Sequence, residues 1–145
     1  MSAEAVPYQS DEEVTEVLRG FETCEAAPDD FNHRAHLVVV LCYLLRGPED
    51  EALTLMREGL FRFLAHHKID PSSVYHETLT VFWVRRVLAF VEQSDTTRGL
   101  NALANELNEA CADSRIVFDY YTKARIESDK ARAYWLDSDL KPLDF

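Results

Sequence analysis

From Ala35 to Leu45 the chain reads AHLVVVLCYLL, almost without a polar side chain, while elsewhere apolar positions recur every three or four residues. The run is far shorter than the roughly 20 residues a membrane-spanning helix needs, so it predicts a helix buried in a core. Upstream, Ser10 to Glu13 forms a capping box ahead of a stripe of Val14, Val17 and Leu18, and Gly20 is the expected stop. The buried helix then begins from an N-cap within Asp29 to Asn32 and ends at Gly47-Pro48. Proline suits a first helical turn, and Glu49, Asp50 and Glu51 suit its positive end, so a third helix follows at once. Its Leu53, Met56, Leu60, Phe63 and His67 share one face until Asp70-Pro71 breaks it. Ser72 and Ser73 offer caps for a long fourth helix from Val74 to about Gln93, and Leu100, Leu103, Leu107, Ala110 and Cys111 mark a fifth, closed by Asp113 and Ser114. Beyond it lie a short helical piece, a capped turn at Ser128 and an extended tail ending Pro142-Leu143-Asp144-Phe145. No strand alternation persists, no repeat recurs, and no linker divides the chain. The pattern predicts an all-α fold: one domain over residues 1–145, a compact bundle of five or six helices with the C-terminal tail packed on it. Residues 1–9 are expected to be flexible.

Composition narrows the class. At 145 residues, 47% hydrophobic and 28% charged, with only four glycines, the chain is long enough and apolar enough to bury a core without staples. Fifteen basic residues against 26 acidic ones give a formal charge of -11, which repels nucleic-acid phosphates and anionic lipid surfaces. Neither nucleic acid nor membrane is an expected partner. Cys24, Cys42 and Cys111 are odd in number and lack C-x-x-C spacing, which fits a reducing compartment. The opening MSAEAVPYQSDEE has acidic residues where a signal peptide needs basic and then apolar ones, so a cytoplasmic setting is expected.

All five histidines lie between residues 33 and 76. His33 and His36, three apart at the start of the apolar helix, project from one side of it, in a row continuing to Val40 and Tyr43 or Leu44. On the fourth helix His76 lines up with Thr80, Trp83 and Val87, with Glu77 beside it. If the two helices pack side by side, three imidazoles and a carboxylate converge in one interior cavity. Such a donor set suits a transition metal such as iron, copper or zinc, held by His33, His36 and His76, with Glu77 as a fourth ligand or general base. Tyr75, Thr80 or Tyr43 would orient the ligands, and Tyr75 and Glu77 are the expected catalytic pair. The expected activity is that of a small cytoplasmic enzyme, an oxidoreductase or a hydrolase, on a small organic molecule. Two other readings use the same residues: a metal-free His/Glu acid–base pocket for isomerisation or cyclisation, and a non-enzymatic binding or interaction protein whose histidines serve the core. H-x-x-H is far less specific than H-E-x-x-H. His66 and His67 are weaker candidates, placed to meet the negative end of their helix. Tyr120, Tyr121, Arg125, Arg132, Tyr134 and Trp135 are expected to pack the tail, with one arginine free to reach an acidic ligand, and exposed Phe61 leaves room for a homodimer contact.

The elements FNHRAHL at Phe31 to Leu37, YHETLT at Tyr75 to Thr80, and DYYTKARIESDKAR at Asp119 to Arg132 with DLKPL at Asp139 to Leu143 carry a resemblance. Together they resemble a family of small, uncharacterised bacterial helical proteins with F-x-H-x-x-H-L and Y-H-x-T-L-T motifs. The likeness covers most of the chain. It implies a bacterial, cytoplasmic setting and directs attention to His33, His36 and His76, without implying a metal or a reaction.

Overall fold

A computed structural model describes residues 6–145; residues 1–5, part of the stretch expected to be flexible, lie outside the described residues. Ser10 caps the first helix, α1 (Asp11–Glu22), by accepting from the Glu13 N–H, and three acidic residues fill its first turn. The helix runs two residues past Gly20, its expected stop. Gly20 costs about 1 kcal/mol against alanine in a helix interior, whereas Phe21, fully buried against Phe31 and Phe63, returns more than that. Just before α1, Tyr8 is buried, and its backbone N–H and C=O both pair with the Asn105 side chain.

Asn32 caps α2 (His33–Arg46), which holds the apolar run. Leu37, Val38, Val39, Val40 and Leu41 are fully buried in succession, so every side of the helix meets another element. Packed around it are α1, α3 (Glu49–His66), α5 (Glu77–Glu92) and α6 (Leu100–Cys111). These five helices of twelve residues or more make the bundle, and there is no strand among the described residues. The fold class expected from the pattern is the fold observed.

At its C-terminus α3 ends in a Schellman turn. Lys68 takes a left-handed φ of 58°, the Ile69 N–H reaches Leu64 C=O, and the Lys68 N–H reaches Ala65 C=O.

The long fourth helix expected from Val74 onward is instead two helices. A single turn, α4 (Pro71–Val74), is capped by Asp70 rather than by Ser72 or Ser73, and then Tyr75 and His76 are extended before α5 begins. Three side chains justify the break. His76 turns back to cap α5, Tyr75 reaches Glu77, and Thr78 anchors the C-terminal region, its hydroxyl lying 2.7 Å from the Ala131 and Tyr134 carbonyls and accepting from the Leu136 N–H.

That region folds as two short helices, α7 (Lys123–Ile126) and α8 (Asp129–Ala133), after a 3-10 turn at Ser114–Asp119. The aromatic cluster does pack the tail. Fully buried Tyr121 donates to Leu136 C=O, Tyr120 donates to Asp144, and the guanidiniums of Arg85 and Arg86 lie over Trp135 and Phe145. No helix of the described residues is long and apolar enough to cross a membrane.

Candidate functional site

Where α2, α3 and the α4–α5 junction meet the 3-10 turn after α6, they leave a cleft of about 530 Å³. His33, His36 and His76 all line it, together with Tyr75, Thr80 and Trp83, so the expected convergence of the three imidazoles on one cavity is present. The remaining wall is mostly apolar, with Phe31, Leu60, Phe63 and Leu64 on one side and Val74, Leu79, Val117 and Phe118 on the other, and it also includes Asn32 and Ser114. Leu64 and Ile69, which close the Schellman turn, belong to it as well. Among the described residues, no Asp, Glu, Lys or Arg lines the cleft.

The three rings differ in what their nitrogens do. His76, at the N-cap of α5, accepts from the Leu79 N–H through Nδ1 at 3.1 Å, while Nε2 lies 2.6 Å from Ile126 C=O. An N–H faces one nitrogen and a carbonyl the other, so the ring is neutral with its proton on Nε2. Burial, with help from Arg132, holds its pKa below the ordinary histidine value despite the Ile126 bond. His33 sits in the first turn of α2, with Nε2 2.8 Å from Cys111 C=O and its ring edge-on to Trp83 at 4.6 Å between centroids.

The His36 ring makes no hydrogen bond among the described residues. Its ring is held beside Phe31, 5.8 Å between centroids, and burial, then the proximity of His33, lowers its pKa to about 4. At neutral pH it is an uncharged imidazole with a free lone pair and a free N–H, facing a largely apolar cleft.

This arrangement bears on the expected metal centre. Both nitrogens of His76 are already engaged with backbone, so it has no lone pair to offer without losing the cap of α5 and the hold on α7. Glu77 is not available either. Arg57 grips both of its oxygens, Nε to Oε1 at 3.1 Å and Nη2 to Oε2, and the Tyr75 hydroxyl donates to Oε1 at 2.6 Å. Although burial acts to raise the Glu77 pKa, these bonds outweigh it and leave the group lowered, an ion-paired carboxylate rather than a poised base. Burial, with the Glu77 bond, pushes the Tyr75 phenol up to about 12, so it stays protonated. Accordingly, no cluster of three or more His, Cys, Asp or Glu side chains suited to a metal ion occurs among the described residues, and His33, His36 and His76 do not fit the iron, copper or zinc site expected of them.

Sequence reasoning missed the two partners that decide these roles. Arg57 lies on the polar side of the α3 stripe, and Ile126 acts through its carbonyl, which no side-chain pattern encodes. Phe31 had a signal, since it stands two residues before His33 in FNHRAH. Neither His66 nor His67 lines the cleft; His67 is the C-cap of α3, its ring 4.5 Å from Phe63. Phe61 is exposed, its ring 4.5 Å from Tyr75.

The fold and site together define an all-α protein with an aromatic cleft lined by three histidines. Comparison with known proteins gave no match to a family model, a curated protein or a solved structure.

Proposed function

We propose that this chain binds a small, predominantly apolar organic molecule in the cleft, without a metal, and that His36 supplies the polar contact. The observation that carries the reading is His36 itself: an imidazole whose ring has no hydrogen-bond partner among the described residues, held at the wall of a largely apolar cleft of a size typical for small-molecule sites. The half-buried ring keeps its nitrogens open to the cleft, and a ligand hydroxyl or amide bonded to one of them would contribute about 1 kcal/mol net.

Binding is favoured over acid–base catalysis by the same group. General-base catalysis works best with a pKa near the working pH, and His36 at about 4 is a weak base at neutrality. The ion-paired Glu77 offers no substitute. Free, buried Cys24, Cys42 and Cys111 suit a reducing compartment, and we place the protein in the cytoplasm.

The test is a backbone amide NMR titration with a fragment set of neutral one- and two-ring molecules. Saturable shifts are expected at Phe31 to His36, Phe63 to Ile69 and Leu79 to Trp83. Absence of saturable shifts at millimolar ligand, or shifts confined to another face, would remove the proposal.

A further inference from the structure

We infer that the molecule the cleft accepts is a neutral, planar aromatic compound carrying one hydroxyl, of the phenol or naphthol class, with its ring between Phe31, Phe63 and Trp83 and its hydroxyl on His36. This rests on the small-molecule reading above and names the ligand class for that same site.

Neutrality follows from the wall. With no charged side chain lining the cleft, a carboxylate or an ammonium entering it would shed water and meet no counter-charge. A single polar group is favoured because most other polar side chains of the cleft are already engaged. His76 has both nitrogens in use, the Tyr75 hydroxyl donates to Glu77, the Thr80 hydroxyl donates to His76 C=O, His33 Nε2 faces Cys111 C=O, and Asn32 Oδ1 caps α2, while Ser114 is exposed to solvent. His36 is the ring left open on both nitrogens.

A hydroxyl suits it better than a carbonyl, which only accepts, or an aliphatic amine, which is charged at neutral pH. A neutral imidazole presents a donor at one nitrogen and an acceptor at the other, and an O–H can both donate and accept, so it serves whichever nitrogen faces it. Aromatic character follows from the rings already gathered there. Phe31 lies 5.4 Å from Phe63, and Trp83 meets His33 edge-on, so a flat ligand finds both faces and edges of rings to pack against. A cleft of about 530 Å³ accommodates two fused rings.

The experiment compares four probes on the wild-type protein and on His36→Leu: 2-naphthol, naphthalene, 2-naphthoate and decahydro-2-naphthol, each titrated against Trp fluorescence and backbone amide shifts. Expected is binding of 2-naphthol about tenfold tighter than naphthalene, a factor that disappears in His36→Leu. Weaker binding of decahydro-2-naphthol and 2-naphthoate is expected alongside it. Should His36→Leu fail to fold, the ring-nitrogen shifts of His36 in the wild type replace it: they are expected to move with 2-naphthol and to stay with naphthalene. Equal affinity for naphthol and naphthalene, tightest binding of the naphthoate, or decahydronaphthol equal to naphthol would each overturn the ligand class while leaving a small-molecule cleft in place. Failure of all four probes to bind would overturn both.

Discussion

Replacing His76 separates a structural junction from a ligand to metal or substrate. Its Nδ1 caps α5 and its Nε2–H holds Ile126 C=O at 2.6 Å, on a ring that is buried. Removing an N-cap costs about 1 kcal/mol. Losing the Ile126 bond costs about another 1 kcal/mol, and a carbonyl left unpaired at a buried contact adds about 1 kcal/mol or more. His76→Ala should therefore destabilise by about 3 kcal/mol, which for a domain of this size lowers Tm by about 10 °C. His76→Asn keeps a side chain that caps well but is too short to reach Ile126, so it should recover about 1 kcal/mol of that loss. Urea denaturation at pH 7 with the linear extrapolation measures both. The pH dependence adds a sign. Because the folded-state pKa of His76 is lowered, its contribution to stability is complete above the unfolded value near 6.5 and is lost as pH falls through the lowered folded value. His76→Asn should lack that part of the acid loss. An alanine variant within about 0.5 kcal/mol of wild type, or an asparagine variant no better than alanine, refutes the junction assignment.

Three further outcomes follow from the packing. His36 has a folded pKa of about 4 against 6.5 unfolded, so the folded state loses on the order of 3 kcal/mol as pH falls from 6.5 to 4; His36→Leu should abolish that loss and be no less stable at pH 7, as parallel urea titrations would show. In Gly59→Ala the new Cβ would stand 2.5 Å from Phe21 Cε2, and Phe21 is stacked on Phe31 and cannot retreat, so a net loss of about 1–2 kcal/mol is expected in the same assay even after alanine's better helix propensity. Lys68 is exposed at φ 58°, where glycine carries no Cβ penalty, and Lys68→Gly should raise stability by about 0.5–1 kcal/mol; a lower Tm would contradict the turn as described.

The helices were legible because their signals are local. Ser10, Asn32 and Ser128 cap the elements they precede, and the run from Leu37 to Leu41 is buried on all sides as its composition requires. The failures came where tertiary contacts override local preference. Nothing in SSVYHETL marks a break, since neither glycine nor proline stands there; the chain departs from helix at Tyr75 and His76 because their partners, Glu77 and Ile126, are reached only from extended backbone. Gly20 failed as a stop for the same reason, Phe21 being held by Phe31 and Phe63.

At the site, the sequence placed three histidines on one cavity and could not assign their nitrogens. Spacing reports which side of a helix a ring leaves from, not which backbone carbonyl waits for it. His76 illustrates the consequence: on a continuous helix it would share a row with Thr80 and Trp83 and present a free nitrogen to the cavity, but at the N-cap its ring is bound on both sides. The Y-H-E-T sequence is accordingly a joint, with Tyr75 and Glu77 closing on Arg57, His76 on α7, and Thr78 on the segment after α8. Holding α7 and the tail in this way also fixes the geometry around Trp83 and Tyr75, two walls of the cleft. Chemistry is then left to the other motif, F-N-H-R-A-H, in which Phe31 supplies a ring, His33 is tied to α6 through Nε2, and His36 faces the cleft with both ring nitrogens unspent.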